Sequence, residues 1–222
     1  ANNTIKLEIS AHDHIINGLD ICVDGPNAAP CVLSASWDKT VKVWDLNSGE
    51  LISTFTGHNN RVKTVKALPN FSQTQSSPTN RTKVDSTATA ASGDDDGHIY
   101  VWDIHSAHAL LFLDEHNRFI VSLAAYIDNS GIVCLVSASA DASIRLWDVT
   151  DIIQTDPTPQ NANATAGKLS KTPTSSSICV IKTPSKYISS LCTAPICAAA
   201  PLITGFDASF VTKTALPPIS PA

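Results

Sequence analysis

Residues 33–46 read Leu33-Ser34-Ala35-Ser36-Trp37-Asp38-Lys39-Thr40-Val41-Lys42-Val43-Trp44-Asp45-Leu46, and the layout of this stretch recurs twice further along the chain. In each copy an aspartate lies six residues before a tryptophan, and a serine lies four residues before that aspartate. The three sets are Ser34, Asp38 and Trp44; Ser92, Asp96 and Trp102; and Ser137, Asp141 and Trp147. A histidine precedes each set, at His12, His58 and His116. Repetition at a period of a few tens of residues predicts an array of similar structural units.

Each unit consists of short apolar or alternating runs separated by turn residues, a pattern typical of β-strands. The predicted strands are residues 15–23, 31–36, 40–45, 51–55, 62–68, 88–92, 99–103, 109–113, 119–126, 133–137 and 143–148. Residues 5–9 also alternate, and we interpret them as the outermost strand of a preceding sheet. The chain is therefore predicted to be all-β.

Two polar stretches interrupt the repeat. Residues 69–87 form a Ser-, Thr-, Gln- and Asn-rich insertion within the second unit, and residues 151–177 form a low-complexity insertion that is predicted to be disordered. Residues 178–216 are interpreted as a degenerate fourth unit, with Asp207 as its turn aspartate, and residues 217–222 as a tail. Lys186, Ile203 and Lys213 stand where that unit would need its histidine, serine and tryptophan.

This His-to-Asp-to-Trp-Asp pattern resembles the WD-repeat β-propeller family, whose unit carries Gly-His near its start and Trp-Asp near its end. Gly57-His58 with Trp102-Asp103 keeps the full pair. The resemblance implies a β-propeller of four-stranded antiparallel blades, with three full blades in residues 1–150 and the degenerate fourth in 178–216. It also implies that this chain is part of a larger propeller, whose remaining blades come from the same or another chain.

In such a family each blade holds a structural tetrad, in which histidine, serine, aspartate and tryptophan satisfy one another's hydrogen bonds. The implied tetrads are His12, Ser34, Asp38 and Trp44; His58, Ser92, Asp96 and Trp102; and His116, Ser137, Asp141 and Trp147. Serine, histidine and aspartate together also allow a hydrolase triad as an alternative. Because the set occurs three times and each serine is engaged by an indole, we expect no catalytic residues and no enzyme.

No cofactor or metal site is expected. Asp94-Asp95-Asp96 is interpreted as a hairpin turn, because it lacks the spaced oxygen ligands of a calcium loop. The sequence also contains no phosphate-binding glycine loop. The net charge of −5 and the absence of a Lys/Arg cluster argue against direct nucleic-acid binding.

Several features bear on the location of the protein. No apolar run reaches the roughly 20 residues of a membrane helix, so no membrane span is predicted. Six cysteines without zinc-type spacing favour reduced, buried thiols and an intracellular location, cytoplasmic or nuclear. N-x-[ST] sequons leave secretion as the alternative. The chain lacks an initial methionine and is interpreted as a piece of a longer protein.

The resemblance places partner binding on one rim of the propeller. This rim bears the loops that lead into the first strand of each blade and the loops that join its second and third strands. The candidate partner-binding residues there are Asp13, His14, Trp37, Lys39, Asn59, Asn60, Arg61, Asp95, Asn117, Arg118 and Ala140. Trp37, beside Lys39 and Arg61, has the composition of an interface anchor, and packing on its own blade is the alternative. Ser/Thr-Pro steps in or beside the two insertions leave phosphorylation as a further possibility.

The expected function is that of a non-catalytic protein–protein interaction scaffold within a multi-protein assembly. Two alternatives stay open at this point. One is a substrate-recognition propeller of an enzyme or ubiquitin-ligase complex. The other is an architectural subunit of a large particle or filament. Fold alone does not choose among them.

Overall fold

A computed structural model of the chain describes residues 7–23, 29–69, 88–128, 131–154, 177 and 179–182. Within these residues the chain forms twelve strands and one short helix. The elements are β1 (Ile16–Cys22), β2 (Cys31–Ser36), β3 (Val41–Asp45), β4 (Leu51–Phe55), β5 (Val62–Ala67), β6 (Thr89–Asp94), β7 (Ile99–Asp103), β8 (Ala109–Leu113), β9 (Ile120–Ile127), β10 (Val133–Ser139), β11 (Ser143–Asp148), α1 (Thr150–Gln154) and β12 (Cys179–Lys182).

The strands form three four-stranded antiparallel sheets, which confirms the predicted fold class. Blade 1 has the order β1-β2-β3-β4, blade 2 the order β5-β6-β7-β8, and blade 3 the order β9-β10-β11-β12. The turn between the second and third strands of each blade contains one residue with positive φ: Lys39 (73°), Gly97 (93°) or Ala142 (64°). Gly97 also lies against blade 3, since an added Cβ would come within 2.6 Å of the carbonyl oxygen of His116. A glycine is therefore needed there for both conformation and space.

Two predicted domain boundaries require correction. β12 pairs with β11, so residues 179–182 complete blade 3 instead of opening the fourth blade expected over 178–216. Thr150–Gln154 form helix α1, whereas the disordered insertion was expected to begin at residue 151. Ile153 is buried against the apolar core of blade 3, which gives this turn of helix the tertiary contact that a short helix requires.

The other predicted segments lie largely outside the described residues. These are residues 70–87 of the first insertion, 155–176 of the second, and 183–222, which include the rest of the expected fourth blade and the tail. The expected strand over residues 5–9 is not formed in its described part, because residues 7–10 have no strand conformation. A strand needs a hydrogen-bonded neighbour, and the sheets of the described residues offer none at this position.

The blades pack through their first strands, with β5 in contact with both β1 and β9. One apolar core lies between blades 1 and 2 and contains Leu33, Val43 and Trp102. Another lies between blades 2 and 3 and contains Val101 and Trp147. Polar contacts join blades 1 and 2 as well: the Asp20 carboxylate accepts hydrogen bonds from the backbone N–H of Ala67 (2.8 Å) and the Lys66 ammonium (2.9 Å). Blade 2 is therefore covered on both faces.

Within the described ranges no blade packs on the side of blade 1 that lies away from blade 2, and we call this side the leading face. Alternate residues of β1 and the turn after it point to this side, and Leu19, Ile21 and Val23 are 66%, 58% and 67% exposed there. Leu7 and Ile9 cover part of this face next to Trp44. The leading face is thus an apolar sheet surface without a neighbouring blade among the described residues.

Candidate functional site

The first tetrad is assembled in blade 1 from three separate segments. His12 precedes β1, Ser34 lies on β2 and Trp44 lies on β3. The His12 Nδ1 atom is 2.7 Å from the Asp38 carboxylate, and its Nε2 atom is 2.7 Å from the Ser34 hydroxyl. The Trp44 indole N–H donates to the same hydroxyl at 2.9 Å. The structure therefore brings all four predicted residues together.

Blade 3 repeats this arrangement. His116 Nδ1 lies 2.9 Å from the Asp141 carboxylate and His116 Nε2 lies 2.8 Å from the Ser137 hydroxyl. The indole N–H of Trp147 donates to that hydroxyl at 2.9 Å. In both blades a hydroxyl two residues after the aspartate, on Thr40 or Ser143, donates to the carboxylate at 2.6 Å.

Blade 2 uses a different aspartate from the predicted one. His58 Nδ1 contacts the carboxylate of Asp94 at 2.8 Å, while its Nε2 contacts Ser92 (2.7 Å) and Trp102 donates to Ser92 (3.1 Å). Asp96, the residue expected from spacing, instead accepts a hydrogen bond from the Asn60 side-chain amide at 2.9 Å. Asp96 is exposed, whereas Asp94 is completely buried.

The sequence of the turn explains this exchange. Asp94 occupies the position that Ser36 holds in blade 1 and Ser139 holds in blade 3. The hydroxyl of each of those serines accepts a hydrogen bond from the backbone N–H two residues later. Asp94 makes the same turn contact with one carboxylate oxygen, accepting from Asp96 N–H at 3.0 Å, and reaches His58 with the other. His98 occupies the position of Thr40 and brings no hydroxyl to hold a carboxylate at Asp96.

Burial and hydrogen bonding shift the pKa values of the tetrad carboxylates in opposite directions. Burial raises the pKa of Asp141, but hydrogen bonds from Ser143 and His116 outweigh it and lower the pKa to about 2. The pKa values of Asp38 and Asp94 are lowered for the same balance of reasons. Desolvation lowers the pKa of His116 despite the neighbouring Asp141. The blade 3 tetrad therefore combines an ionised carboxylate with a neutral imidazole at neutral pH.

In the blade 3 tetrad this protonation state explains the direction of each hydrogen bond. A neutral imidazole that donates from Nδ1 to the carboxylate accepts at Nε2 from the serine hydroxyl, which in turn accepts from the indole. Ser34, Ser92 and Ser137 are at most 2% exposed. Their hydroxyls are buried and fully engaged, so the serines are placed to stabilise the blades and not to reach a substrate.

The predicted rim residues lie at one end of the blades. In each of the three blades a backbone hydrogen bond of 3.0 Å joins the two rim loops. The N–H groups of Trp37, Asp95 and Ala140 donate to the carbonyl oxygens of Ile15, Arg61 and Phe119, respectively. Trp37, Asn60, Asp95 and Ala140 are partly buried, and the exposed predicted residues are Asp13, His14, Lys39, Asn59, Arg61, Asn117 and Arg118.

Trp37 is the centre of an aromatic and cationic cluster that joins all three blades. The Arg61 guanidinium lies 4.7 Å from the centroid of the Trp37 ring, and the Lys63 ammonium lies 5.1 Å from it. Lys63 is also 5.5 Å from the ring centroid of Phe119 in blade 3 and pairs with Asp95 at 3.3 Å. We call Trp37, Arg61, Lys63 and Phe119 the rim cluster.

Sequence reasoning missed two members of this cluster. Lys63 lies within β5, where alternation alone does not show that its side chain extends to the rim. Phe119 holds the position of Arg61 and Ile15 in the repeat, so alignment of the three units was the signal that could have found it. The indole N–H of Trp37 is buried without a hydrogen-bond partner in the described part of the chain.

A second polar cluster lies in blade 3 and was not predicted. Glu115 forms an ion pair with Arg145, and the Glu115 carboxylate accepts from the Ser177 hydroxyl (2.7 Å) and backbone N–H (3.1 Å). Burial raises the pKa of Glu115, but the hydrogen bonds from Ser177 and the charge of Arg145 lower it further than burial raises it. Ser177 lies two residues before β12, so this cluster fixes the chain close to the start of the outermost strand of blade 3.

Neither a metal-binding group nor a membrane-spanning helix is found among the described residues. In these residues no three His, Cys, Asp or Glu side chains are placed to hold a metal ion. The three consecutive aspartates diverge, because Asp94 contacts His58, Asp95 contacts Lys63 and Asp96 contacts Asn60. No helix in the described ranges is long and apolar enough to cross a membrane.

Comparisons with known proteins agree with this architecture. The family model for the WD40 "WD domain, G-beta repeat" matches residues 3–45, 49–103 and 108–148. The chain is 30% identical to the small ribosomal subunit protein RACK1 of Caenorhabditis elegans over 125 residues, covering 56% of this chain and 32% of that protein. It is 28% identical to mitochondrial division protein 1 of Neurospora crassa over 178 residues, covering 66% of this chain and 24% of that protein. The chain thus spans about a third or less of the length of these relatives.

Solved structures give the same picture. The WD40 β-propeller domain of Doa1 matches with a TM-score of 0.52 at 22% identity, over 81% of this chain and 45% of that one, which is a likeness of fold alone. The computationally designed Ika4 protein matches with a TM-score of 0.50 at 26% identity, over 67% of this chain and 75% of that one.

Proposed function

The chain belongs to the WD domain, G-beta repeat family, and from this we propose that it is a non-catalytic scaffold that binds other proteins through its rim. WD40 propeller proteins generally mediate protein–protein interactions. The observation that carries the proposal for this chain is the rim cluster, in which two cations from the next blade lie over one half-buried indole.

The chemistry of the rim cluster suits a protein partner. Tryptophan, arginine and aromatic residues are enriched where interfaces bind most tightly, because they offer large contact areas with few rotamers to freeze. Arg61 is exposed and Phe119 is 40% exposed, so both a donor group and an apolar ring face solvent beside Trp37. Contacts across three blades hold these side chains in place before a partner arrives, which lowers the entropy lost on binding.

The relatives support membership in an assembly. One is named as a small ribosomal subunit protein and the other as a mitochondrial division protein, and neither name is that of an enzyme. We infer from them an intracellular location for this chain. Commitment of all three tetrad serines to buried hydrogen bonds supports the non-catalytic part of the proposal.

The proposal is tested with Trp37→Ala and with Leu51→Ala as its matched control. Leu51 is a 49% exposed apolar residue at the start of β4, at the end of blade 1 opposite the rim. Proteins from the native source that bind the immobilised wild-type chain are identified, and the affinity of each purified partner is then measured for the three forms. Loss of Trp37 should weaken binding at least about tenfold, as expected for an interface anchor.

Two further measurements make this test decisive. Circular dichroism must show that Trp37→Ala keeps its sheet structure, and Arg61→Ala, which changes the same cluster from blade 2, should weaken binding as well. Partners that bind Trp37→Ala and Arg61→Ala as tightly as the wild type would overturn the proposed role of the rim.

The leading face of blade 1 favours a second candidate, an architectural subunit whose sides are covered by neighbours. Exposed apolar surface of this kind marks a contact with another protein surface, which here includes the remaining blades of a propeller. Replacement of Leu19 by Ser should raise solubility of the isolated chain and abolish its incorporation into the assembly. If incorporation depends on Trp37 and not on Leu19, the rim scaffold is the correct function.

A further inference from the structure

At the end of blade 1 opposite the rim, the last residue of the first strand faces the first residue of the second strand. In blade 1 this pair is Cys22 and Cys31, which are direct partners in the antiparallel register. In blade 3 the corresponding cysteine, Cys134, faces Tyr126. In blade 2 the position of Cys31 is taken by Thr89, three residues before Ser92. The repeat thus places two thiols opposite each other in blade 1 alone among the described blades.

The register of this pair is compatible with a disulfide bond. Directly opposed residues of antiparallel strands have Cα atoms about 4.5–5.5 Å apart, and disulfides span about 4.4–6.8 Å. The Cys22 and Cys31 side chains are 7% and 0% exposed and belong to the same apolar core between blades 1 and 2. The two thiols are near enough for Cys22 to raise the pKa of Cys31. Little movement of the backbone is therefore needed to join them.

We propose that Cys22 and Cys31 form a redox-active dithiol, which a small-molecule disulfide such as glutathione disulfide oxidises to an intramolecular disulfide bond. The bond closes the β1–β2 hairpin at the end of blade 1 opposite the rim. This modification is independent of the proposed scaffold function.

The reaction balances in two exchange steps. The Cys22 thiolate attacks one sulfur of glutathione disulfide, forms a mixed disulfide and releases one glutathione thiolate. The Cys31 sulfur then attacks the Cys22 sulfur, breaks the mixed disulfide and releases the second glutathione. Two protein thiols are oxidised, one glutathione disulfide is reduced to two glutathione molecules, and the Cys31 proton leaves with the second of these.

The surroundings of the two sulfurs favour this order of events. Cys22 is the more exposed thiol and lies at the end of β1, so it is the one a reagent reaches first. Interaction with the Cys22 thiol, together with burial, raises the pKa of Cys31 and keeps it protonated while neither thiol is oxidised. Formation of the mixed disulfide removes the contact with the Cys22 thiol that raises the pKa of Cys31, so Cys31 is then able to act as the attacking thiol.

The packed core also selects the product. A disulfide adds no atoms to the space between blades 1 and 2, whereas a glutathione adduct on a buried sulfur adds a tripeptide that this core cannot hold. The mixed disulfide is therefore a transient species, and the intramolecular bond is the stable one.

Peptide mapping tests this directly. Lys6 and Lys39 are consecutive tryptic sites, so the peptide 7–39 contains Cys22, Cys31 and no other cysteine. The folded chain is incubated in a glutathione redox buffer, blocked with N-ethylmaleimide and digested. We expect the peptide 7–39 to lose both maleimide labels and to weigh two hydrogen atoms less than its dithiol form. The thermal unfolding midpoint of the oxidised chain should rise by a few degrees.

Cys134 is the matched internal control, because it is a buried cysteine at the corresponding position without a second thiol opposite. The tryptic peptide 119–145, which contains only this cysteine, should keep its maleimide label. The Cys31→Ser variant should give no mass loss in the peptide 7–39 and no rise in the midpoint. The proposal is overturned if the folded chain keeps both labels under conditions that oxidise the denatured chain, or if Cys22 stops at a glutathione adduct.

Discussion

Blade 2 and blade 1 have the same repeat, but among the residues that the structure describes blade 2 is covered by blades on both faces and blade 1 on only one. Trp102 of blade 2 is 0% exposed and stacks under Phe55 of blade 1, with ring centroids 5.1 Å apart and planes 8° from parallel. Trp44 of blade 1 is 8% exposed and has partly buried Ile9 at the position equivalent to Phe55. The hydrogen bonds of a tetrad are thus made within a blade, whereas much of the packing of its tryptophan comes from the blade before it.

The largest expected effect comes from removing the side chain of blade 1 that packs on the tryptophan of blade 2. Phe55→Ala removes the ring that covers Trp102 and leaves a cavity between two blades, so we expect it to lower the free energy of unfolding by about 3–5 kcal/mol. Ile9→Ala, at the equivalent position on the leading face, should lower it by about 1 kcal/mol or less. Urea unfolding followed by tryptophan fluorescence gives both values. Equal losses for the two variants would contradict the idea that neighbouring blades supply the packing.

The next largest effect distinguishes the two aspartates, Asp94 and Asp96, that could belong to the tetrad of blade 2. Asp94→Asn removes the charged acceptor of His58 and of two backbone N–H groups in a fully buried site, and we expect a loss of about 2–3 kcal/mol. Asp96→Asn changes an exposed contact with Asn60 and should cost about 0.5 kcal/mol or less. The same unfolding experiment measures both. A larger loss for Asp96→Asn would restore the spacing-based assignment of the tetrad.

The smallest expected effect is the change in folding stability at acid pH. The pKa of Asp141 is lowered from 3.8 to about 2 in the folded chain, so the unfolded chain takes up a proton first as the pH falls. The stabilisation from this carboxylate is present above its unfolded pKa and is lost as the pH falls toward 2. The penalty of Asp141→Asn should therefore shrink by about 1 kcal/mol between pH 5 and pH 3. The Leu51→Ala penalty, which involves no titrating group, should stay constant, and a constant Asp141→Asn penalty would exclude the linkage.

Much of the architecture follows from the sequence because its signals are local. Alternating apolar residues and turn residues predict the strands, and the observed elements from β1 to β11 agree with those expectations within a few residues. In blade 1 the four strands follow one another with short connections, which leaves antiparallel pairing of neighbours as the simple arrangement. The tetrads of blades 1 and 3 also follow, since His12, Ser34, Asp38 and Trp44 and their blade 3 counterparts keep the repeat spacing that the structure brings together.

The incorrect or missed assignments all depend on contacts between distant residues. Spacing selected Asp96, but the hydroxyl that holds the tetrad aspartate in blades 1 and 3 is absent at His98, and Asp94 reaches His58 instead. β12 lies 31 residues after the end of β11, so only its pairing with β11 shows that it belongs to blade 3. Helix α1 forms at the start of a polar stretch because Ile153 is buried.

The sequence by itself determined the repeat, the four-stranded blades and the residue types of the tetrads, because strand alternation and turn chemistry act over a few neighbouring residues. Only the tertiary structure decided which aspartate contacts His58, that Arg61 and Lys63 lie over Trp37, and that Cys22 faces Cys31 in a buried core. These choices depend on distances between side chains on different strands and blades, which are set when the sheets pack.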